Sequence, residues 1–419
     1  MNRLRSLRRS DLARPRAAAI DAATLTTTRD HLNTIRERRE PAALALAERF
    51  GDCPAGTSPS DVVLKPDRLR AAFDALSPEV RNVLHTAAES IRSFALAQRA
   101  CLRDLDTGHS IRAGHRVVPL ATAGCYAPGG RYPLPSSVLM TAVTARAAGV
   151  STVWVASPKP TTETLAAAYI AGADGVLTLG GIPAIASLSE GLFGLPACDV
   201  ITGPGNRWVT AAKSLIRDRT AIDLIAGPSE LLIIADASAS PVLIAADLLA
   251  QAEHDEDALP VLIVTDARLI EAVEQQLAQQ LQTLPTRATA EIALANGGVF
   301  VADGLEAALE AAEIFGPEHL ELLLEDAAAI EPRIRNAGAV FIGGSTAEVF
   351  GDYGLGPNHT LPTGGWASIT GGLSVFSFLK VRTFLETAAL DPAAIARLAA
   401  FARLEGLEAH ARAAELRRM

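Results

Sequence analysis

The sequence predicts an α/β protein with two doubly wound parallel-sheet domains in series, a helical lead-in before them and a helical tail after them. Three observations carry that expectation. Between residues 117 and 216, short apolar runs alternate with stretches of helical periodicity, the pattern of strands joined by crossover helices. The alternation restarts at Leu231-Leu-Ile-Ile-Ala235, just past the Gly- and Pro-bearing link Ala226-Gly-Pro-Ser229. The 419 residues, 49% of them hydrophobic, also exceed what one ordinary core accommodates.

In chain order, residues 1–21 form an N-terminal arm. Its six arginines (Arg3, Arg5, Arg8, Arg9, Arg14, Arg16) are interrupted by Asp11 and no apolar core follows them, which excludes an ordinary secretory signal. Residues 22–116 read as a charged, helical lead-in, helical over 25–50 and 66–100, with the Gly-, Pro- and Ser-containing loop 51–59 between; it is expected to pack with the second sheet domain. The first α/β domain, 117–229, carries strands at 117–121, 152–156, 175–179 and 199–202, with helices at 138–148, 161–171, 183–190 and 209–216. The second, 230–370, has strands at 231–235, 261–265, 298–301 and 339–342. Its helices fall at 241–253, 267–282, 305–314 and around Ile330, and the Gly-, Pro- and Thr-rich stretch 351–370 is loop chemistry. Residues 371–419 form the tail, an amphipathic helix or helix pair over 392–418 bearing charges of both signs.

A formal net charge of -9 argues against a nucleic-acid partner, which needs a basic face, and favours a small-molecule ligand. The four cysteines, Cys53, Cys101, Cys125 and Cys198, are scattered, so neither a disulfide framework nor a thiolate metal site is indicated. With no apolar stretch long enough to cross a bilayer, a soluble cytoplasmic protein is expected.

Candidate chemistry lies in the second half. Gln251-Ala-Glu-His254 closes a helical segment, and residues three apart share a helix face, so an amide oxygen and an imidazole lie side by side as half of a metal site. Taken alone, the same pattern is a polar helix end. Gly316-Pro-Glu-His319 puts Glu318 and His319 just beyond Pro317, at an expected helix start, where they could flank one bound molecule as acid and base. Asp352 and His359 sit in the loop Gly351-Asp-Tyr-Gly354 and Gly356-Pro-Asn-His359, free to present a carboxylate to a metal or to make an Asx-turn. Glu405 and His410 lie on the tail as ordinary exposed residues. His31, His85, His109 and His115 have no second candidate ligand at a useful spacing and read as surface or packing residues.

Several motifs occur together in a fixed order: Tyr126-Ala-Pro-Gly-Gly130, Pro135-Ser-Ser-Val-Leu-Met140, Gly203-Pro-Gly-Asn206, Ala226-Gly-Pro-Ser-Glu230, Gln251-Ala-Glu-His254, Gly316-Pro-Glu-His-Leu320, Gly356-Pro-Asn-His359 with Leu361-Pro-Thr363, and Glu405-Gly-Leu-Glu-Ala-His410. In this order they resemble the motifs of the histidinol dehydrogenase family, over nearly the whole chain. The resemblance implies two Rossmann-like domains in an intertwined homodimer, and a zinc- and NAD-dependent oxidation of L-histidinol through L-histidinaldehyde to L-histidine.

Carried across by position, the resemblance implies zinc ligands Gln251, His254, Asp352 and His410, and an acid/base pair Glu318 and His319. Ser229 and Glu405 would join the zinc ligands and His319 in holding substrate, and Tyr126 and Asn206 would touch NAD. Glu405 and His410 would act in the partner's site. Cys125, next to Tyr126, has nothing beside it to lower its pKa and reads as structural. Two departures stand out: Gly180-Gly-Ile-Pro183 replaces the family's Gly-Gly-Ala-Gln, whose Gln contacts NAD, and no Gly-x-Gly-x-x-Gly fingerprint is present. The alternative within the same chemistry is a relative that oxidises another polar alcohol, such as a sulfonated diol. From another class, the alternative is a silent metal-binding protein, against which the presence of both Glu318 and His319 speaks.

Overall fold

The computed structural model describes residues 3–13, 20–108, 111–129, 133–387 and 390–417. Two parallel sheets form its framework. The first runs Val63–Leu64, Gly175–Leu177, Thr152–Ala156, Thr122–Tyr126, Val200–Thr202, Ala221–Ile222 across the sheet, antiparallel only at the Val63–Leu64 edge. The second runs Gly298–Val301, Leu259–Val264, Glu230–Ala235, His319–Leu323, Ala339–Ile342, parallel throughout. Numbered by appearance, the parallel strands of each sheet follow the order 3-2-1-4-5, so both wind outward from a central strand and reverse beside it. All six residues of Glu230–Ala235 are buried, because helices cover both faces; this is why such strands read as unbroken apolar runs rather than alternating ones.

Local chemistry sets the helix ends. Ser77 caps Pro78–Cys101 through Val80 N, and Pro78 takes the first-turn position where a missing N–H costs nothing. Gly316 ends Leu305–Phe315 at φ 59, a left-handed conformation that favours glycine, and turns the chain straight into the next strand.

Three expectations are corrected. The lead-in packs on the first sheet, not the second. Leu69, Leu84 and Ile91 share a core with Val153 and Val155, and Leu32, Ile35 and Leu44 share one with Leu177 and Ile201, because the lead-in also supplies the edge strand Val63–Leu64. The first sheet domain begins at Thr122 rather than at 117: residues 117–119 end the strand Ile111–Pro119, which pairs antiparallel with Leu379–Thr387 in a separate three-stranded sheet. The tail is therefore not purely an appendage, for Leu373, Val375 and Phe378 lie within the first core. The N-terminal arm is also docked. Leu7 N and Arg5 O bond Val299 beside the edge of the second sheet, and Leu4, Leu7 and Leu12 are buried there.

One irregularity links the first core to the site. Residues 139–143 form a buried π-helical turn, and the Met140 carbonyl accepts from Asn358 Nδ2 at 2.9 Å, tying the 356–363 loop to the first core. Among the described residues no helix is long and apolar enough to cross a membrane.

Candidate active site

The two sheets meet at opposite ends. Segments at the carboxyl ends of the first sheet's strands, including Ser136, Ser137, Pro204 and Gly205, face Ser229, His254, Glu318 and His319 at the amino ends of the second sheet's strands. Between them lies a cavity of about 190 Å³, closed on its third side by Asp352, Tyr353 and His359. Doubly wound sheets ordinarily bind ligands beyond their carboxyl ends. Here the second sheet contributes its other end.

Glu318 and His319 form the floor. The sequence suggested a helix start, but His319 opens the strand His319–Leu323, since Gly316 has already ended the helix. Glu318 is 7% exposed and its Oε2 accepts from Ser229 Oγ at 2.7 Å and from Glu230 N at 2.9 Å. Burial drives its carboxyl well above the ordinary range, against those two hydrogen bonds. His319, 4% exposed, places Nδ1 3.0 Å from the Glu230 carbonyl. A carbonyl only accepts, so Nδ1 carries the hydrogen and Nε2 keeps its lone pair. Burial lowers the imidazole to about 4, so at neutral pH it is an uncharged base. Ser229 thus orients Glu318 rather than standing free.

Two of the candidate metal ligands, His254 and Asp352, line the cavity together. His254 Nε2 and Asp352 Oδ2 lie 3.7 Å apart, and ligand atoms of His254, Glu348 and Asp352 all fall within 4.8 Å of one another. Asp352 sits on the short helix Val349–Asp352, not in an open loop. Gln251 closes the helix Pro241–Ala252, completely buried, with Oε1 and Nε2 lacking any hydrogen-bond partner. An amide left unsatisfied in an interior costs about 1–3 kcal/mol, so this donor suits a ligand the protein itself does not supply. A carboxylate, an imidazole and an amide oxygen make a donor set that fits zinc. Glu405 and His410 are exposed on the tail and do not line the cavity of their own chain.

On the first-sheet wall, Gly203 is clamped: its N donates to Asp223 at 2.6 Å and its O accepts from Lys213 Nζ at 2.9 Å, while Lys213 and Asp223 form a buried ion pair. Asn206 is exposed, and its Oδ1 caps the helix Arg207–Leu215 through Trp208 N and Val209 N. Tyr126 is 3% exposed, its phenol oxygen accepting from Gly181 N at 3.3 Å. Glycine is required beside it, for a Cβ on Gly203 would lie 2.0 Å from the Tyr126 carbonyl. Cys125 is fully buried and its thiol is pushed up to about 12, so it supplies no nucleophilic thiolate. Of the remaining histidines, His31 and His85 stack edgewise on Phe50 and Phe73, His115 bonds the Arg103 carbonyl, and His109 lies outside the described residues.

Sequence reasoning missed three groups, Glu348, Glu321 and Asp247, and gave His359 no role beyond its loop. His359 lines the cavity with a buried, unpartnered Nε2, and Glu348, 1% exposed, has both carboxylate oxygens unpartnered, one of them 3.8 Å from His319 Nδ1. Glu321, two residues beyond His319 and on the same face of its strand, is fully buried and accepts from Glu348 N at 2.7 Å. Burial beside Asp247 pushes it up to about 9, and Asp247, on the helix that carries Gln251, rises to about 6. A charge inside an apolar strand was the available signal for Glu321.

A stability prediction follows from that carboxyl. Its folded pKa lies above the ordinary 4.5, so the fold is favoured below that value and loses stability as pH rises towards 9. Glu321→Gln keeps an acceptor for Glu348 N. It is expected to raise Tm by several degrees at pH 8 and to leave it nearly unchanged at pH 5, as calorimetry would show.

The sequence pattern described as Histidinol dehydrogenase matches residues 14–418. The chain belongs to the histidinol dehydrogenase family. It is 42% identical to the histidinol dehydrogenase of Aromatoleum aromaticum across 96% of this chain and 92% of that one. It is 45% identical to that of Thermus thermophilus across 83% and 85%. The crystal structure of histidinol dehydrogenase from Elizabethkingia anophelis superposes with a TM-score of 0.90 at 30% identity, covering 100% of this chain and 98% of the other. The chain is thus an oxidoreductase, and the mixed α/β framework is that of the family.

Proposed function

We propose that this chain oxidises L-histidinol through L-histidinaldehyde to L-histidine, the closing oxidations of histidine biosynthesis, with two NAD as successive hydride acceptors and one zinc per subunit. The observation that carries the reading is the Glu318–His319 floor: two adjacent buried groups whose acidities are driven apart, next to His254 and Asp352.

Gln251, His254 and Asp352 would hold zinc with His410 of the partner subunit; when bound, the ion supplies a Lewis-acid anchor for the amine and imidazole of the amino alcohol. Tyr126 and Asn206 would touch NAD, which would supply the hydride acceptor. His319 Nε2 takes the hydroxyl proton as the carbinol hydrogen leaves as hydride, and its Nδ1–H bond to the Glu230 carbonyl fixes the ring for that task. Glu318, held by Ser229 and Glu230 N, positions the water that adds to the aldehyde carbon. Once His319 has released that first proton to solvent, its Nε2 takes the hydroxyl proton of the hydrated aldehyde as the second hydride leaves. Holding both groups in one cavity lets the aldehyde stay bound between the two steps.

A shared site in a homodimer completes the reading. Its support is the tail, which leaves Glu405 and His410 exposed and Leu398, Phe401, Leu404 and Leu416 at 54%, 62%, 84% and 83% exposure, more apolar surface than an isolated helix pair keeps in water. The test is stoichiometric: about two NADH formed per histidinol consumed, by the two-step hydride chemistry. A yield of one, or faster turnover of another amino alcohol or polar diol, would overturn the substrate assignment.

A further inference from the structure

We propose that Asp52 accepts the adenosine ribose hydroxyls of the dinucleotide and, together with Lys159, sets a preference for NAD over NADP. The inference rests on the NAD reading above and adds a residue to it. In a doubly wound sheet the adenosine half lies over the side made by the first three strands, and an acidic side chain at the end of the second strand usually takes the ribose hydroxyls. Here the second strand, Thr152–Ala156, runs into Ser157-Pro-Lys159 and offers no acid.

A carboxylate reaches the same corner from elsewhere. The long helix Ala22–Phe50 ends at Gly51 with φ 74, and Asp52 N bonds back to the Ala47 carbonyl at 2.9 Å, which fixes Asp52 on a rigid cap. Asp52 Oδ2 accepts from Gly180 N at 2.9 Å, at the carboxyl end of the third strand, Gly175–Leu177. The neighbouring Gly181 N donates to Tyr126, so Asp52 and Tyr126 grip consecutive amides of one turn. The surface there is kept bare of side chains: a Cβ on Gly180 would come within 2.8 Å of Pro158, and one on Gly129 within 2.2 Å of the Pro158 carbonyl. Oδ1 of Asp52 makes no hydrogen bond among the described residues. Partial burial raises the Asp52 carboxyl, and the bond from Gly180 N and the charge of Lys159, exposed at φ 45, oppose that rise.

The charges decide between cofactors. A 2′-hydroxyl donates to a carboxylate, whereas a 2′-phosphate is repelled by it and would be drawn to Lys159 once the carboxylate is neutralised. Calorimetric titration of the metal-loaded protein with NAD and with NADP tests this, alongside Asp52→Asn, which keeps an acceptor for Gly180 N. NAD affinity is expected to fall about 10-fold and NADP affinity to rise, and adding Lys159→Ala should remove the NADP gain. With the unaltered protein, NAD lacking the 2′-hydroxyl should bind about 10-fold more weakly than NAD. Equal binding of those two ligands, or an unchanged NADP-to-NAD ratio in Asp52→Asn, overturns the role of Asp52 and leaves the NAD reading standing. Failure of the unaltered protein to bind either dinucleotide overturns both.

Discussion

Replacing His319 by Asn is expected to cut NADH formation by about a thousandfold, within the range for losing a positioned general base, while bound metal is retained. The substitution is informative because Asn can still donate to the Glu230 carbonyl, as Nδ1 does now at 3.0 Å, but its amide is far too weak a base to take the hydroxyl proton. The same burial that keeps His319 uncharged gives a second readout. Its folded pKa of about 4 lies below the ordinary 6.5, so in the window between them the unfolded chain binds a proton that the folded chain refuses. Stability is therefore complete above pH 6.5 and is lost as pH falls towards 4, by about 3 kcal/mol from this group. His319→Asn should flatten that acid limb in a Tm-against-pH series. Full turnover in the variant would remove His319 from the chemistry.

The second large effect is expected at His410. Changing it to Ala should weaken zinc binding by at least 100-fold, since loss of mere supporting contacts around a metal already costs about 10–100-fold, and activity should vanish with the metal. Yet in this chain His410 is exposed on Glu408–Glu415 and is not among the residues that line the cavity. Mixed dimers discriminate. A subunit with His410→Ala keeps an intact floor, and one with Glu318→Gln keeps an intact tail. Combined, they rebuild one complete site if the tail serves its neighbour. Co-expression should restore zinc and NADH formation to a level set by the fraction of mixed dimers; two inactive parents giving an inactive mixture would show that the tail does not cross.

What was legible in the sequence followed local physics. The strands Thr152–Ala156, Gly298–Val301 and Ala339–Ile342 were expected with the same bounds, because each is an apolar run with turn residues beside it. The interior strand His319–Leu323 was invisible as a strand, since it opens on a histidine and carries Glu321 in its middle. Leu379–Thr387 was missed for a related reason: most of it is exposed and it is rich in charge, so it lacks the buried-strand signature. The pairing of Ile111–Pro119 with that distant strand and the docking of the lead-in depend on contacts far apart in sequence, which no local period records. At the site, the adjacent Glu318 and His319 were readable as a pair. Glu348 and Asp247 were not, for a carboxyl just before a helix or within one looks solvated until the fold covers it.

The opposed docking of the two sheets also gives the cavity an electrical polarity. Where the first sheet ends, the helical run 135–148 and the helix Arg207–Leu215 begin, turning the positive ends of their peptide dipoles inward. Where the second sheet begins, Pro241–Ala252 and Leu305–Phe315 finish, turning negative ends inward beside the carboxylates of Glu318 and Asp352. The backbone alone therefore makes an anion welcome on one wall and a cation on the other, so two ligands of opposite sign meet in a single orientation before any side chain selects them.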